Sequence, residues 1–281
     1  GVENQVEEYY YNHLPEELHE AYREIYVHLM KNEDSGSFLS EIDVDNFWKA
    51  YYAVLADHPE IFWIGTSAQI EESGIGKTVV SYTCETTVPV EERSTMKAQL
   101  EAAANECIYS IPSDASDYEK IKYVYEYIID LTDYDANGID TQNIQSVLLY
   151  QKSVCAGYSK AFQYLCDLSD ITCYTVTGMM NGGTGEGPHM WNIVANNGKY
   201  YMADITNSDE GTVGEDGGLF LDTPISGRIS RGYTYATDSA NIYFAYDKEA
   251  KSLYGTGKNS ILYMTQETYS VDDLTAKPAK T

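Results

Sequence analysis

Apolar residues in the first sixty positions recur at helical spacing. After Pro15, the residues Leu18, Tyr22, Ile25, Tyr26 and Leu29 repeat at threes and fours until the polar stretch Asn32 to Ser37 breaks the pattern. This predicts a helix with Pro15 at its first turn. A second helix is predicted from about Asp43 to Asp57, ending before His58-Pro59, because the residue before a proline is driven extended. The runs Ile61 to Ile64 and Thr78 to Val88 are rich in β-branched and aromatic residues and are separated by a glycine-bearing turn, which predicts strands. Two more helices are expected over about Pro89 to Ser110 and Asp117 to Asp133. The second opens on the capping-box pattern Ser116-Asp117-Tyr118-Glu119 and carries Ile121, Val124, Tyr125, Ile128 and Leu131 on one stripe.

The pattern changes after residue 150. From Cys155 to Leu168 the positions Tyr158, Ala161, Phe162, Leu165 and Leu168 again repeat at helical spacing, so Cys155 falls in the first turn of a buried helix. Residues 189 to 195 alternate instead, with His189, Trp191 and Ile193 on one face and Met190, Asn192 and Val194 on the other. A second strand follows from Lys199 to Thr206, and Asn196-Asn197-Gly198 between the two is a hairpin signal. With Asn197-Gly198 as the loop, residue 196 pairs with 199 and His189 lies diagonal to Asp204. With Asn196-Asn197 as the loop, His189 faces Asp204 directly. A three-residue loop would place them on opposite faces. The glycine-rich stretch Met179 to Pro188 is expected to be a lid or a long connection. Further short strands are expected at Tyr233 to Tyr235, Ile242 to Phe244 and Ile261 to Met264, with a disordered end over Ala276 to Thr281.

Composition narrows the classes. The 281 residues are 43% hydrophobic and 22% charged, enough for one large core or two modest ones. Acidic residues outnumber basic ones 44 to 18, for a net charge of −26, which argues against nucleic acid as a partner. No stretch approaches the roughly 18–20 continuous apolar residues of a membrane-spanning helix. Acidity and 27 tyrosines are compatible with a secreted or lipid-anchored protein of the bacterial cell surface. The expected organisation is an N-terminal helical and mixed α/β region over 1–112 and a core with a C-terminal strand extension over 113–281.

Few residues are candidates for chemistry. Asp133 to Gly138 matches the first half of a calcium-binding loop, but Ile144 stands where the bidentate glutamate belongs, so a polar turn is expected. The five cysteines, Cys84, Cys107, Cys155, Cys166 and Cys173, form no CxxC pair, and Cys166 with Cys173 lacks two further zinc ligands. Cys84 with Cys107, or Cys166 with Cys173, could pair in an oxidising compartment and leave Cys155 as the odd thiol. Nothing points to a cofactor or a metal. Cys155 is the exception, because unpaired backbone N–H groups and the helix dipole stabilise a thiolate in a first turn. With His189 and Asp204 it supplies a nucleophile, a base and a group that orients the base, in the order Cys, His, Asp.

Three stretches carry a family resemblance: Ser153-Val154-Cys155-Ala156-Gly157-Tyr158-Ser159-Lys160-Ala161-Phe162, His189-Met190-Trp191-Asn192-Ile193-Val194, and Tyr200-Tyr201-Met202-Ala203-Asp204-Ile205-Thr206. Together they resemble the bacterial transglutaminase-like superfamily, with Gln145-Ser146 fitting its pattern upstream. The segment Asp57 to Trp63 is similar to the N-terminal region often attached to such domains in Gram-positive bacteria. The resemblance implies an α+β, papain-like core in which the Cys-bearing helix packs on an antiparallel sheet bearing His and Asp. It implies Cys155, His189 and Asp204 as the triad and a Gln145 side-chain N–H at an oxyanion hole. It also implies acyl transfer from a peptide or protein substrate, with cell-wall peptide among the candidates. The family commonly has Trp shortly after Asp-x-Thr; here Asn207 stands there. The competing expectation is a catalytically silent surface module that binds carbohydrate or protein on the same fold.

Overall fold

The computed structural model describes residues 7–182, 185–209, 219–223, 229–230, 234–235 and 242–277. It divides into two compact units, Gly1–Ala98 and Gln99–Thr281.

The first unit contains α1 (Tyr9–His13), α2 (His19–Met30), β1 (Ser35–Asp43), α3 (Val44–Asp57), β2 (Ile64–Glu72), β3 (Thr78–Thr86) and the start of α4 (Val90–Ile108). Its strands form an antiparallel sheet in the order β1-β3-β2. Asp43 caps α3 by accepting a hydrogen bond from Asn46 N at 2.8 Å, as a short acidic side chain does at a helix start. Tyr22, Ile25 and Leu29 of α2, Phe47, Tyr51 and Val54 of α3, and Tyr82 of β3 are buried. The run Ile61 to Trp63 is buried but turned, with Ile61 N bonded to His58 O, so the strand begins only at Ile64. Around Pro15, residues Glu16–Leu18 form a 3₁₀ turn and the α-helix starts at His19. The strand β1 begins at Ser35, inside the polar break at Asn32 to Ser37.

The second unit holds the chemistry-bearing stretches. Ser116 caps α5 (Asp117–Leu131), accepting from Glu119 N at 3.1 Å. Next come β4 (Asp133–Tyr134), α6 (Gln145–Leu148), β5 (Lys152–Ser153) and α7 (Cys155–Leu168), with β4 and β5 paired in parallel. The strands β6 (Cys173–Gly182), β7 (Glu186–Asn196) and β8 (Lys199–Ala203) lead to α8 (Ile205–Asp209). A small hairpin of β9 (Ile229–Ser230) and β10 (Thr234–Tyr235) precedes β11 (Ile242–Tyr246), α9 (Lys248–Tyr254) and α10 (Val271–Thr275). The main sheet is antiparallel in the order β11-β6-β7-β8. Helix α7 packs between this sheet and α5, burying Tyr158, Ala161, Phe162 and Leu165 with Val124, Ile128, Trp191 and Ile193. This is the α+β, papain-like arrangement.

Three expectations change here. Most of the stretch Met179 to Pro188 is sheet: β6 and β7 pair Met179 with Pro188 and Asn181 with Glu186, while residues 183–184 lie outside the described residues. On its other side Met179 pairs with Ala245 of β11, so its backbone groups are used up in the sheet. Gly178 is needed there, because a Cβ would collide with the Ala245 carbonyl and the Trp191 ring. In the apolar run Ile261 to Met264, Ile261, Leu262 and Met264 are buried without joining a strand. Of the expected disordered end, Ala276 and Lys277 are placed, with Lys277 Nζ 3.0 Å from Glu119 Oε1; residues 278–281 lie outside the described residues.

Candidate active site

The nucleophile candidate is positioned by a helix N-terminus. Cys155 opens α7, whose N-cap Val154 offers no side-chain acceptor, so the first-turn N–H groups keep their positive pole beside the thiol. Cys155 is only partly buried. The helix is stitched to β7 by Ser159, whose Oγ donates to Met190 O at 3.0 Å, and by Asn192, whose Nδ2 donates to Ser159 O at 3.0 Å. That stitching also presents the Met190 backbone N–H to the Cys155 sulfur. Behind the first turn, the hydroxyls of Ser146 and Ser153 bond each other at 2.7 Å. Gly157 rests directly against them, and a Cβ there would lie 2.5 Å from Ser146 Oγ and 2.6 Å from the Thr141 carbonyl.

The other two residues come from the β7–β8 hairpin. Its loop is Asn197-Gly198, both at positive φ (50° and 77°), the conformation a tight two-residue turn requires. Asn196 pairs with Lys199 and Asn192 with Ala203, which is the first of the registers open in sequence; Asp204 follows directly after β8. His189 and Asp204 thus project from the same face, and Nε2 meets Oδ2 at 2.7 Å. Their side chains are 6% and 1% exposed. With Nε2 engaged, Nδ1 is the ring nitrogen left for the hydrogen bond to Cys155. The imidazole stacks on Trp191 (centroids 5.9 Å apart) and leans on Phe244.

Charge follows from this packing. Burial pushes the Cys155 thiol up. The hydrogen bond and charge of His189, together with the Met190 N–H, outweigh burial and hold it below the usual thiol value, against an opposing contribution from Asp204. Burial pulls His189 down, but Asp204 by charge and hydrogen bond, then Cys155, raise it above the ordinary histidine value. Both shifts favour a thiolate–imidazolium pair. The other cysteines go the opposite way: burial raises Cys84 to about 11 and Cys107 to about 12, and raises Cys166 and Cys173 as well.

In sequence Asn207 stands out only as a departure from the family pattern, which does not reveal its contacts. It is buried in α8, where its Nδ2 donates to Asp204 Oδ2 at 2.7 Å and its backbone N to Asp204 Oδ1 at 3.3 Å. The available signal was a polar residue inside a turn that must be buried beside the carboxylate. Gln145 is fully buried at the start of α6, and its Nε2 donates to Asp140 Oδ2 at 3.3 Å. All five cysteines are free; the thiols of Cys166 and Cys173 hydrogen-bond each other rather than forming a disulfide. The Asp133 to Gly138 stretch is a short strand and a polar turn in which Asn137 N bonds Asp135 Oδ1 at 2.8 Å. Among the described residues no three His, Cys, Asp or Glu side chains gather where they could hold a metal ion, and no helix is long and apolar enough to cross a membrane.

A Cys-bearing helix packed on an antiparallel sheet, with a buried His–Asp pair on that sheet beside the thiol, is a cysteine-enzyme fold. Residues 106–205, which span all three side chains, match the model of the transglutaminase-like superfamily. Among curated proteins it is similar to the kyphoscoliosis peptidase of Mus musculus, 26% identical over 129 residues, covering 41% of this chain and 20% of that protein. The Homo sapiens kyphoscoliosis peptidase is 28% identical over 104 residues, covering 32% and 16%. The match therefore spans a fifth or less of these relatives. Among solved structures, the crystal structure of a TGase has a TM-score of 0.35 and 16% identity, over 64% of this chain and 53% of that one.

Proposed function

We propose that the protein is a cysteine acyltransferase or amidase acting on a peptide or protein amide, with Cys155 as nucleophile. The observation that carries this reading is the buried 2.7 Å contact of His189 Nε2 with Asp204 Oδ2 beside a thiol whose ionisation is favoured. In this scheme the Cys155 thiolate attacks the amide carbonyl carbon. Negative charge develops on the carbonyl oxygen, where the Cys155 backbone N–H would donate to it. His189 gives its Nδ1 proton to the departing amine, the C–N bond breaks, and a thioester remains on Cys155. Water or a second amine then attacks the thioester while His189 takes its proton, the C–S bond breaks, and acid or transferred amide is released with the Cys155 thiolate and the His189 imidazolium restored. Asp204 holds the imidazole in orientation and stabilises its positive charge throughout. A cell-surface setting, with cell-wall peptide among the substrates, fits the acidic, tyrosine-rich composition.

The test is the rate of Cys155 alkylation by iodoacetamide against pH, with labelled peptides resolved by mass spectrometry. The expected result is labelling of Cys155 well below the ordinary thiol pKa of about 8.5, while the four buried thiols stay unmodified. In His189→Ala the Cys155 profile moves back to that of a free thiol. An ordinary profile that the variant leaves unchanged overturns the reading and favours the silent binding module.

A further inference from the structure

The Asp204 carboxylate is almost fully buried, and a buried carboxylate needs donors to hold it. On Oδ2 it accepts two: His189 Nε2 and Asn207 Nδ2, each at 2.7 Å. Oδ1 accepts the backbone N–H of Asn207 at 3.3 Å. Asn207 thus supplies side-chain and main-chain donors to the two oxygens of one carboxylate, and fixes its plane. The amide orientation is determined by its surroundings, because an amide oxygen at the Nδ2 position would face Asp204 Oδ2 with lone pair against lone pair. Nδ2 also lies 2.9 Å from Met180 Sδ, so its second hydrogen is directed at β6, and 3.3 Å from His189 Nε2, which bonds the same oxygen. Below it, Ser208 Oγ donates to Asp204 O at 2.8 Å and in turn receives the Tyr125 hydroxyl, so the turn carrying Asn207 is anchored to α5.

We infer that Asn207 is a positioning residue for the Cys155–His189–Asp204 site: its amide locks the Asp204 carboxylate in the plane from which it orients His189. The inference rests on the function proposed above. In this chain an amide performs by hydrogen bonding what an aromatic neighbour could do only by covering the pair. Free to rotate, the carboxylate would present a lone pair to Nε2 only part of the time, and the imidazolium that keeps Cys155 ionised would lose support.

The titratable groups facing the His189–Cys155 pair are Asp204 and, against Cys155, Tyr134 of β4. The strands β7 and β11 present Trp191 and Phe244, which do not titrate. A change in the Cys155 pH profile on altering Asn207 therefore reports on Asp204 and its hold on His189.

The experiment compares iodoacetamide labelling of Cys155 across pH 4 to 10 in the parent chain and in Asn207→Leu, which keeps the volume and removes the donor. The expected result is a midpoint raised by about one pH unit, with labelling at pH 6 slowed about tenfold. The four buried thiols remain protected in both proteins, which shows that the fold is kept. If the parent itself has an ordinary thiol profile, the function proposed above fails. If the parent has a depressed midpoint and Asn207→Leu retains it, the inference about Asn207 is overturned and that function stands. Should Asn207→Leu not fold, Asn207→Asp keeps the shape and donates only while the introduced carboxyl is protonated. Its labelling must then fall relative to the parent as the pH rises through neutrality, and a curve parallel to the parent's refutes the inference.

Discussion

Replacing Gly157 by Ala tests whether the first turn of α7 is held by close packing. The added methyl would sit 2.6 Å from the Thr141 carbonyl, about 0.8 Å inside the 3.4 Å at which ordinary contact begins, and still closer to the Ser153 hydroxyl. The hydroxyls could rotate away only by giving up the Ser146–Ser153 bond and the 2.7 Å bond from Ser146 Oγ to Asn143 O. The Thr141 oxygen is main chain and has no such escape, so the helix start must move by nearly an ångström. Overpacking costs about 1–3 kcal/mol and each lost buried hydroxyl bond about 1 kcal/mol. The better helix propensity of Ala returns about 1 kcal/mol. The net loss is about 3 kcal/mol, which at a urea slope of about 2–3 kcal/mol/M lowers the midpoint by roughly 1–1.5 M. Labelling of Cys166 and Cys173, buried in the same unit, reports this midpoint without interference from the first unit. Cys155 moves with the helix, so its alkylation at pH 7 should slow by tenfold or more. An unchanged midpoint together with an unchanged alkylation rate would refute the packing argument. A lowered midpoint with normal Cys155 reactivity would separate stability from positioning.

Asp273 of α10 accepts from Asn197 Nδ2 at 2.9 Å, from Lys199 Nζ at 2.7 Å and from Ser270, and so clamps the β7–β8 hairpin. These donors hold its carboxyl far below the usual value despite the opposing effect of burial, so its contribution to stability is present above pH 4 and is lost as the pH falls. Asp273→Ala should destabilise by about 2 kcal/mol in urea unfolding at pH 7, Lys199 being partly exposed, and the difference from the parent should shrink toward pH 2. In the first unit, burial raises Asp57 to about 6 even though Tyr22, Tyr10 and Tyr11 donate to it. His58 is raised to about 9 by Glu60 and Glu8, against burial. Both shifts are upward, so the stability that these two groups contribute is present at acidic pH and is lost in two steps, as the pH rises from about 4 through 6 and from about 6.5 through 9. Amide exchange of α2 and α3 in the full chain should show both steps, and His58→Gln should abolish the upper one.

Much of this architecture was legible because its determinants are local. Asp43 and Ser116 announce α3 and α5 through caps that depend on three neighbouring residues, and the stripe from Tyr158 to Leu168 shows α7 by period alone. Asn197-Gly198 fixes a turn in which both residues need positive φ, and that turn sets the register carrying His189 and Asp204. Illegible were the features decided by distant partners. Met179 to Pro188 has the composition of a loop, yet β11, far along the chain, supplies the pairing that makes Met179 to Gly182 sheet. Ile261 to Met264 has the composition of a strand, yet finds burial without a ladder. β1 begins among polar residues that looked like a break. Asn207 was visible as a departure from a pattern, but its partners could be read only from a carboxylate whose position depends on the hairpin.

The stacking of His189 on Trp191, and of Trp191 on Tyr246 at 10° between planes, makes the imidazole the outermost layer of the hydrophobic core. A genetic screen for inactive variants would then return interior aromatic positions alongside the three polar ones, because shaving Trp191 or Phe244 tilts the imidazole without touching it. Loss of activity in such a library could not be taken to mark contact with substrate. Melting temperatures measured alongside would sort the two groups, since interior replacements lower both quantities and replacement of Cys155, the proposed nucleophile, lowers only one.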